Sequence, residues 1–217
     1  PESVGNTFRE IASVVVEDGI TFDPASVDVE AIRRDAGYTG VRVVITGELA
    51  KATCKTQIDI GFGDAVTPGP VEALYPVLLH DLPAPRLRTY PTYTVVSEKL
   101  HAIALLGMTN TRMKDYLDLS VLLDREALDV NILASAIAAT FERRGMAVPT
   151  EFPMGLSDAF GIDPSRQSLW LAFLKKNGLA VVPLTDIVTS LRAALQPALA
   201  QAAVLALDLG RHDPAEC

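Results

Sequence analysis

Pro83-Ala84-Pro85-Arg86-Leu87-Arg88-Thr89-Tyr90-Pro91 closes a passage that also holds Pro68, Pro70 and Pro76, and the hydrophobic period changes across it. Proline fixes φ and offers no N–H to a ladder, so the passage reads as edge strand and loop, and as the boundary between two parts of the chain. Upstream, the pattern repeats every two residues. Val27, Val29 and Ala31 alternate with Asp28 and Glu30, and Val41-Arg42-Val43-Val44-Ile45-Thr46 is rich in β-branched residues after the turn signal Tyr38-Thr39-Gly40. Residues 54–62 alternate Gln57 and Asp59 against Ile58 and Ile60 and close on Gly61 and Gly63, while Gly19 opens a further strand at Ile20. Short connections predict mostly antiparallel neighbours. Residues 7–16 fit a short helix ahead of the first strand.

Downstream of Pro91 the period is helical. Thr94 or Ser97 can cap a helix that carries Glu98, Lys99, Leu100, Ile103 and Leu106 and stops at Gly107. Thr109-Asn110-Thr111 makes a loop, and a helix from Arg112 carries Tyr116, Leu117, Leu119, Val121 and Leu122. Further helices are predicted over residues 130–144, 164–176 and 184–207, the last interrupted by Pro197. The fold class is therefore α+β, a small, mostly antiparallel sheet followed by a helical bundle, with domains at residues 1–92 and 93–217.

Composition narrows the function. Hydrophobic residues make up 49% and charged residues 21% of 217, which is the balance of a globular chain and not of a disordered one. No run of ~18 consecutive apolar residues and no basic-then-apolar leader is present, so the expectation is a cytoplasmic protein with no membrane partner. Cys54 and Cys217 are the two cysteines; they cannot build a disulfide framework, and no His or Cys stands near them at zinc-ligand spacing. The net charge of −8 argues against a broadly basic nucleic-acid surface and leaves room for a local one. Arg86, Arg88, Lys99, Arg112 and Lys114 fall in one stretch, and Arg143 and Arg144 follow.

Three places can carry chemistry. Asp59 lies mid-strand between isoleucines, where a carboxylate must be solvent-facing, paired or metal-bound; the solvent-facing position is the plainer reading. Asp64, after two glycines, reads as a turn residue. Arg112, Lys114, Asp115 and Asp118 put two cations and two carboxylates at a loop-to-helix junction, with Lys114 and Asp118 at i and i+4. Spacing alone leaves both a solvated helix start and a functional site open. His101, a lone histidine on a helix, reads as half-buried.

Ile58-Asp59-Ile60-Gly61-Phe62-Gly63-Asp64, then Ser97-Glu98-Lys99-Leu100-His101-Ala102, then Arg112-Met113-Lys114-Asp115-Tyr116-Leu117-Asp118-Leu119 resemble, in order and separation, successive blocks of the AbiEii/AbiGii toxin family. The likeness covers residues 15–125, and the helical remainder is alike in character. It implies a nucleotidyltransferase of the DNA polymerase β superfamily, acting in toxin–antitoxin or phage-defence systems, with a separate antitoxin protein as partner. The implied reaction moves a nucleotide from a nucleoside triphosphate to an RNA, tRNA ends in characterised relatives. The resemblance also implies magnesium (Mg2+) held by three carboxylates, of which Asp59 matches the third. By the same match Lys99 contacts the triphosphate, Asp115 is the helical carboxylate, and Arg112 and Lys114 flank the nucleotide. Asp59, Lys99 and Asp115 are then the catalytic set and are expected to converge on one cleft.

The family's first two carboxylates follow a Gly-Ser motif in an Asp-x-Asp pair, and neither string occurs between Pro1 and Cys217. The expectation is that an amino-terminal catalytic segment is absent here and that the chain alone does not catalyse transfer. A second reading is a non-enzymatic relative that binds a nucleotide, RNA or protein. A third, a structural or dimerising domain, leaves the family order of Lys99, Lys114 and Asp115 unexplained.

Overall fold

The structure, a computed structural model, describes residues 2–34, 38–79 and 81–210. It divides into two compact units, one of Pro1–Asp64 with Pro76–Ala84 and one of Ala65–Tyr75 with Pro85–Cys217. Together they make the mixed α+β architecture that the two periods predict.

In the first unit β3 (Tyr38–Leu49) is the spine of an antiparallel sheet. β4 (Ala52–Gly61) runs back along one edge, from Leu49↔Ala52 to Gly40↔Gly61. The other edge is shared between β1 (Ile20–Phe22), opposite Gly47 to Leu49, and β2 (Asp28–Arg34), opposite Tyr38 to Val44. Alternation decides the faces: Val43 and Ile45 point into a small core, where Val27, Val29, Ile58 and Ile60 join them. α1 (Glu2–Ala12) covers that core with Val4, Phe8 and Ala12. The helix begins earlier than predicted and ends before Val14-Val15-Val16, whose side chains are exposed. Three consecutive β-branched residues lose χ1 freedom in a helix, and no buried contact compensates them there.

The second unit opens with a hairpin of β5 (Val71–Leu74) and β6 (Arg86–Thr89), paired from Val71↔Thr89 to Leu74↔Arg86. The hairpin leads into α2 (Thr92–Leu106), α3 (Met113–Arg125), α4 (Val130–Arg143), α5 (Asp158–Ile162), α6 (Pro164–Lys176) and α7 (Leu184–Gly210). α2 starts at Pro91 and not at a Thr94 or Ser97 cap. Both hydroxyls are spent elsewhere: Thr94 Oγ1 accepts from the Thr67 amide and donates to the Thr67 carbonyl, each at 3.1 Å, and Ser97 donates to the Tyr93 carbonyl. Gly107 ends the helix at φ +50°, where a side chain would be strained.

The bundle core is built at helical spacing from Val96, Leu100 and Ile103 of α2, Met113, Tyr116 and Leu119 of α3, and Leu133, Ile137 and Phe141 of α4. Trp170 and Leu174 of α6 and Val188, Leu191, Leu195 and Leu199 of α7 complete it. Burying each large side chain contributes roughly 1.5–3 kcal/mol. α7 runs through Pro197 without a break. Proline inside a helix costs about 3 kcal/mol, and the burial of Leu195, Ala198 and Leu199 on either side offsets it. The 24 residues Leu184–Leu207 are long and apolar enough to cross a membrane by length and composition, although they hold no uninterrupted apolar run of ~18 residues. Their buried positions form one wall of the bundle core.

His101 is buried, 4% exposed, and not half-buried as expected of a lone histidine on a helix. Its ring meets Phe141 edge-on at 5.0 Å, and Nδ1 lies 3.3 Å from Arg144 Nη1. Burial, and then the Arg144 charge, lower its pKa to about 4. Because this base binds its proton less readily folded than unfolded, its effect on stability worsens as pH falls from the free-imidazole value near 6.5 toward 4. The His101 ring resonances are expected to stay constant from pH 8 to 5.5 and to move with a midpoint near 4; a midpoint near 6.5 would contradict the burial. Cys54 is an exposed free thiol, and Cys217 lies outside the described residues.

Candidate functional site

Met113, Tyr116 and Leu119 are fully or almost fully buried, and the helical period then turns Asp115 and Asp118 together toward one side of α3. On α2 the same logic buries Val96, Leu100 and Ile103 and leaves Lys99 beside them. The two helices bring Lys99 Nζ within 2.8 Å of Asp115 Oδ1 and 2.7 Å of Asp118 Oδ2. The three side chains are only 18%, 16% and 23% exposed. Lys114, exposed, donates to the same Asp118 oxygen. The result is a four-membered array of two ammonium groups and two carboxylates, balanced in charge.

Electrostatics follow from that array. Burial pushes the Lys99 pKa down, but hydrogen bonds to Asp115 and Asp118 outweigh it and raise the net value, so Lys99 stays charged. Burial likewise pushes Asp118 up, and the hydrogen bonds from Lys114 and Lys99 hold it below the ordinary carboxylate value. An ammonium has three N–H donors, and the two carboxylates engage two of those on Lys99.

Two anchors fix α3. The Tyr116 hydroxyl donates to the Gly155 carbonyl at 2.8 Å, and its ring stacks on Phe160 at 5.1 Å. Burial raises the pKa of that hydroxyl, which stays protonated. At the helix start, Asn110 Oδ1 accepts from the Arg112 amide, and the Asn110 carbonyl accepts from Arg166 Nη1, both at 2.8 Å. Arg112 is exposed at this junction. Its side chain forms no ion pair among the described residues. α2 is tied to α4 by Arg144, which donates to Glu98 at 3.1 Å.

Asp59 stands in the other unit, on the polar face of β4. It lies directly across from Arg42 of β3, whose guanidinium grips both carboxylate oxygens, Nε to Oδ1 at 2.7 Å and Nη2 to Oδ2 at 2.9 Å. Glu30, opposite Arg42 on β2, completes a row with its oxygen 3.7 Å from Nη1. Sequence reading did not single out Arg42, although a hairpin turning at Ala50-Lys51 puts position 42 opposite 59. Spacing places Asp118 only in the helix-start junction, and the Lys99 contact that makes it a site residue depends on how the two helices pack.

The donor set for magnesium can be tested on these residues. Mg2+ demands a near-octahedral shell of oxygens. Among the described residues no group of three or more His, Cys, Asp or Glu side chains is disposed to hold a metal ion, and both Asp59 oxygens already bond Arg42. The described residues do not fit a magnesium centre by themselves.

Fold and site thus define an α+β protein whose helical part carries a Lys-Asp-Asp cluster set between two packed helices. The sequence model of the nucleotidyl transferase AbiEii toxin, of type IV toxin–antitoxin systems, matches residues 2–200, and the chain belongs to that family. No curated protein and no solved structure matches the chain. Membership carries a nucleotidyltransferase-like role in a toxin–antitoxin system.

Proposed function

We propose that this chain serves a toxin that transfers a nucleotide from a nucleoside triphosphate to an RNA acceptor, tRNA included, in the cytoplasm, under control of a separate antitoxin protein. The observation that supports this best is the Lys99 ammonium, charged and mostly shielded between Asp115 and Asp118. Such a cation is a point charge for a phosphate, and shielding from water strengthens it. Lys114, which shares Asp118 with Lys99, and Arg112, exposed two residues before it, add positive charge for the same triphosphate. Asp115 and Asp118 orient Lys99 and keep it protonated. Asp59 is proposed as one oxygen ligand of magnesium; being a single carboxylate bonded to Arg42, it makes no such centre unaided, and these 217 residues alone are proposed to be inactive.

The test is to incubate the complete gene product with each labelled NTP and total RNA. Label on RNA supports the reading; no label with any NTP overturns it. In that protein Asp59→Asn keeps the shape and removes the charge, so transfer is expected to fall by about a hundredfold or more. The melting temperature should move little, since a partly exposed ion pair contributes only about 0–1 kcal/mol. Wild-type transfer by Asp59→Asn would remove Asp59 from the mechanism. A second reading, a non-enzymatic binding module, is favoured by the fact that Asp59 and Lys99 are both already ion-paired. It predicts binding of nucleotide or RNA by the complete protein with no label transferred.

A further inference from the structure

We propose that one face of the β5–β6 hairpin, bearing Arg86 and Arg88 with Tyr90 just beyond, docks the phosphodiester backbone of single-stranded RNA; this rests on the transferase reading and gives its acceptor a binding surface. The register sets Arg86 opposite Leu74 and Arg88 opposite Glu72. Strand alternation therefore places both guanidiniums on the same face. The single acid on that face, Glu72, lies 3.8 Å from Arg86, and both side chains are about two-thirds exposed (65% and 68%), so water and salt screen the pair. Arg88 forms no ion pair among the described residues. The segment Pro85-Arg86-Leu87-Arg88-Thr89-Tyr90-Pro91 holds no acidic residue in a chain of net charge −8.

Chemistry and position favour a nucleic acid. Side chains two apart on a strand stand about 7 Å from each other, which lets two guanidiniums meet successive phosphates of an extended strand. The guanidinium fork matches phosphate oxygens. Tyr90, 49% exposed, offers a ring on which a base can stack whatever its identity. The hairpin also feeds straight into α2, and the Thr94–Thr67 bonds fasten the segment before β5 to the first turn of that helix. Four residues from Arg88 to Thr92 span at most about 14 Å, and seven residues of helix to Lys99 add about 10 Å. Arg88 and Lys99 therefore lie within about 25 Å of each other, a gap that a few nucleotides of acceptor can cover. An acidic protein could meet the same arginines, but two guanidiniums at the spacing of successive phosphates, with a ring one step further for a base, suit a nucleic-acid strand better.

The test is fluorescence anisotropy of the full chain with a 5′-fluorescein 12-nucleotide oligouridylate, without NTP, from 50 to 200 mM KCl. Each phosphate contact on a single strand contributes about 0.7 to the slope of log K against log salt. Arg86→Ala/Arg88→Ala is expected to flatten that slope by about 1.4, so that wild type loses about sevenfold more affinity than the variant over this fourfold range. Arg86→Lys/Arg88→Lys should keep the slope, and Arg125→Ala, an exposed charge elsewhere, should leave it unchanged. Tyr90→Ala should weaken binding at every salt concentration without changing the slope, and Tyr90→Phe should not. A wild-type slope in the double alanine variant overturns the proposal. So does equal loss of binding to poly-L-glutamate, which would mark the face as a site for acidic protein. Because no transfer is read, a transferase whose double variant keeps the slope defeats this inference alone, whereas a flattened slope in a protein that never transfers label defeats the transferase reading alone.

Discussion

Lys99→Met is expected to destabilise the helical unit by about 2–3 kcal/mol at pH 7 and to abolish any transfer by the complete protein. Methionine keeps most of the stem, so the loss isolates the charge. Removing one partner of a buried ion pair costs about 3–5 kcal/mol, whereas exposed pairs are worth about 0–1. Lys99, Asp115 and Asp118 are each less than a quarter exposed, which places the cost between those limits. Two carboxylates of like charge would be left side by side, with Lys114 alone to compensate them. The pH dependence carries the diagnosis. Asp118 has a folded pKa below its free value, so its contribution is present above that free value and is lost as pH falls through the folded one. In Lys99→Met the depressing ammonium is gone, Asp118 takes up its proton more readily, and the deficit against wild type should be smaller at pH 3, below the free carboxylate value of 3.8, than at pH 7. Urea unfolding followed by fluorescence of Trp170, the single tryptophan and buried in this unit, reports the change. Equal stability of variant and wild type at both pH values would mean that the ammonium contributes nothing.

How much of this was legible in the sequence depends on the range of each interaction. Strands β2 to β4 follow from alternation, because one face of the sheet is buried and the other is not. The core helices follow from their 3.6-residue period for the same reason. Helix ends failed where tertiary contacts outbid local preference. Thr94 looks like a cap by residue type, yet its hydroxyl satisfies the Thr67 backbone, a partner 27 positions away that no local rule can name. α5 and the 3-10 turn Met154–Leu156 are too short to show a period and were not predicted. In the site, spacing alone pairs Lys114 with Asp118. The Lys99 bridge joins two helices and depends on how they pack, so spacing left it invisible, and only the family resemblance connected Lys99 with Asp115. The grip of Arg42 on Asp59 needed no packing knowledge, only the hairpin register, and it qualifies the metal-ligand expectation by showing what that carboxylate bonds first.

Gly155→Ala is expected to cost about 2–4 kcal/mol, although it adds a single methyl group. Gly155 is buried in the 3-10 turn, against Ile103 of α2 and the Tyr116 hydroxyl of α3. A Cβ there would lie 2.7 Å from the Ile103 carbonyl oxygen, 2.8 Å from Ile103 Cγ2 and 3.1 Å from the Tyr116 hydroxyl. The first contact is with helix backbone and cannot be relieved by a rotamer change, so the turn itself must shift. Overpacking of this kind costs about 1–3 kcal/mol. The shift also pulls the Gly155 carbonyl from the buried Tyr116 hydroxyl, and an unsatisfied buried group costs a further 1–3 kcal/mol or so. For a chain of this size the melting temperature should fall by roughly 4–16 °C. Gly69→Ala provides the control, since nothing lies within 4 Å of its Cβ position and its φ is not in the left-handed region. Tyr116→Phe separates the two contributions. It removes the hydroxyl while leaving the Ile103 contacts, so Gly155→Ala in the Tyr116→Phe background should still destabilise, by about the overpacking cost alone. If that background instead made Gly155→Ala harmless, the clash would reside in the tyrosine and not in the α2 backbone. Tyr116 lies between Asp115 and Asp118 on α3, so the same shift should loosen the hold of both carboxylates on Lys99. Loss of Tyr116–Gly155 packing is therefore expected to reduce transfer by the complete protein even at temperatures where the variant remains folded.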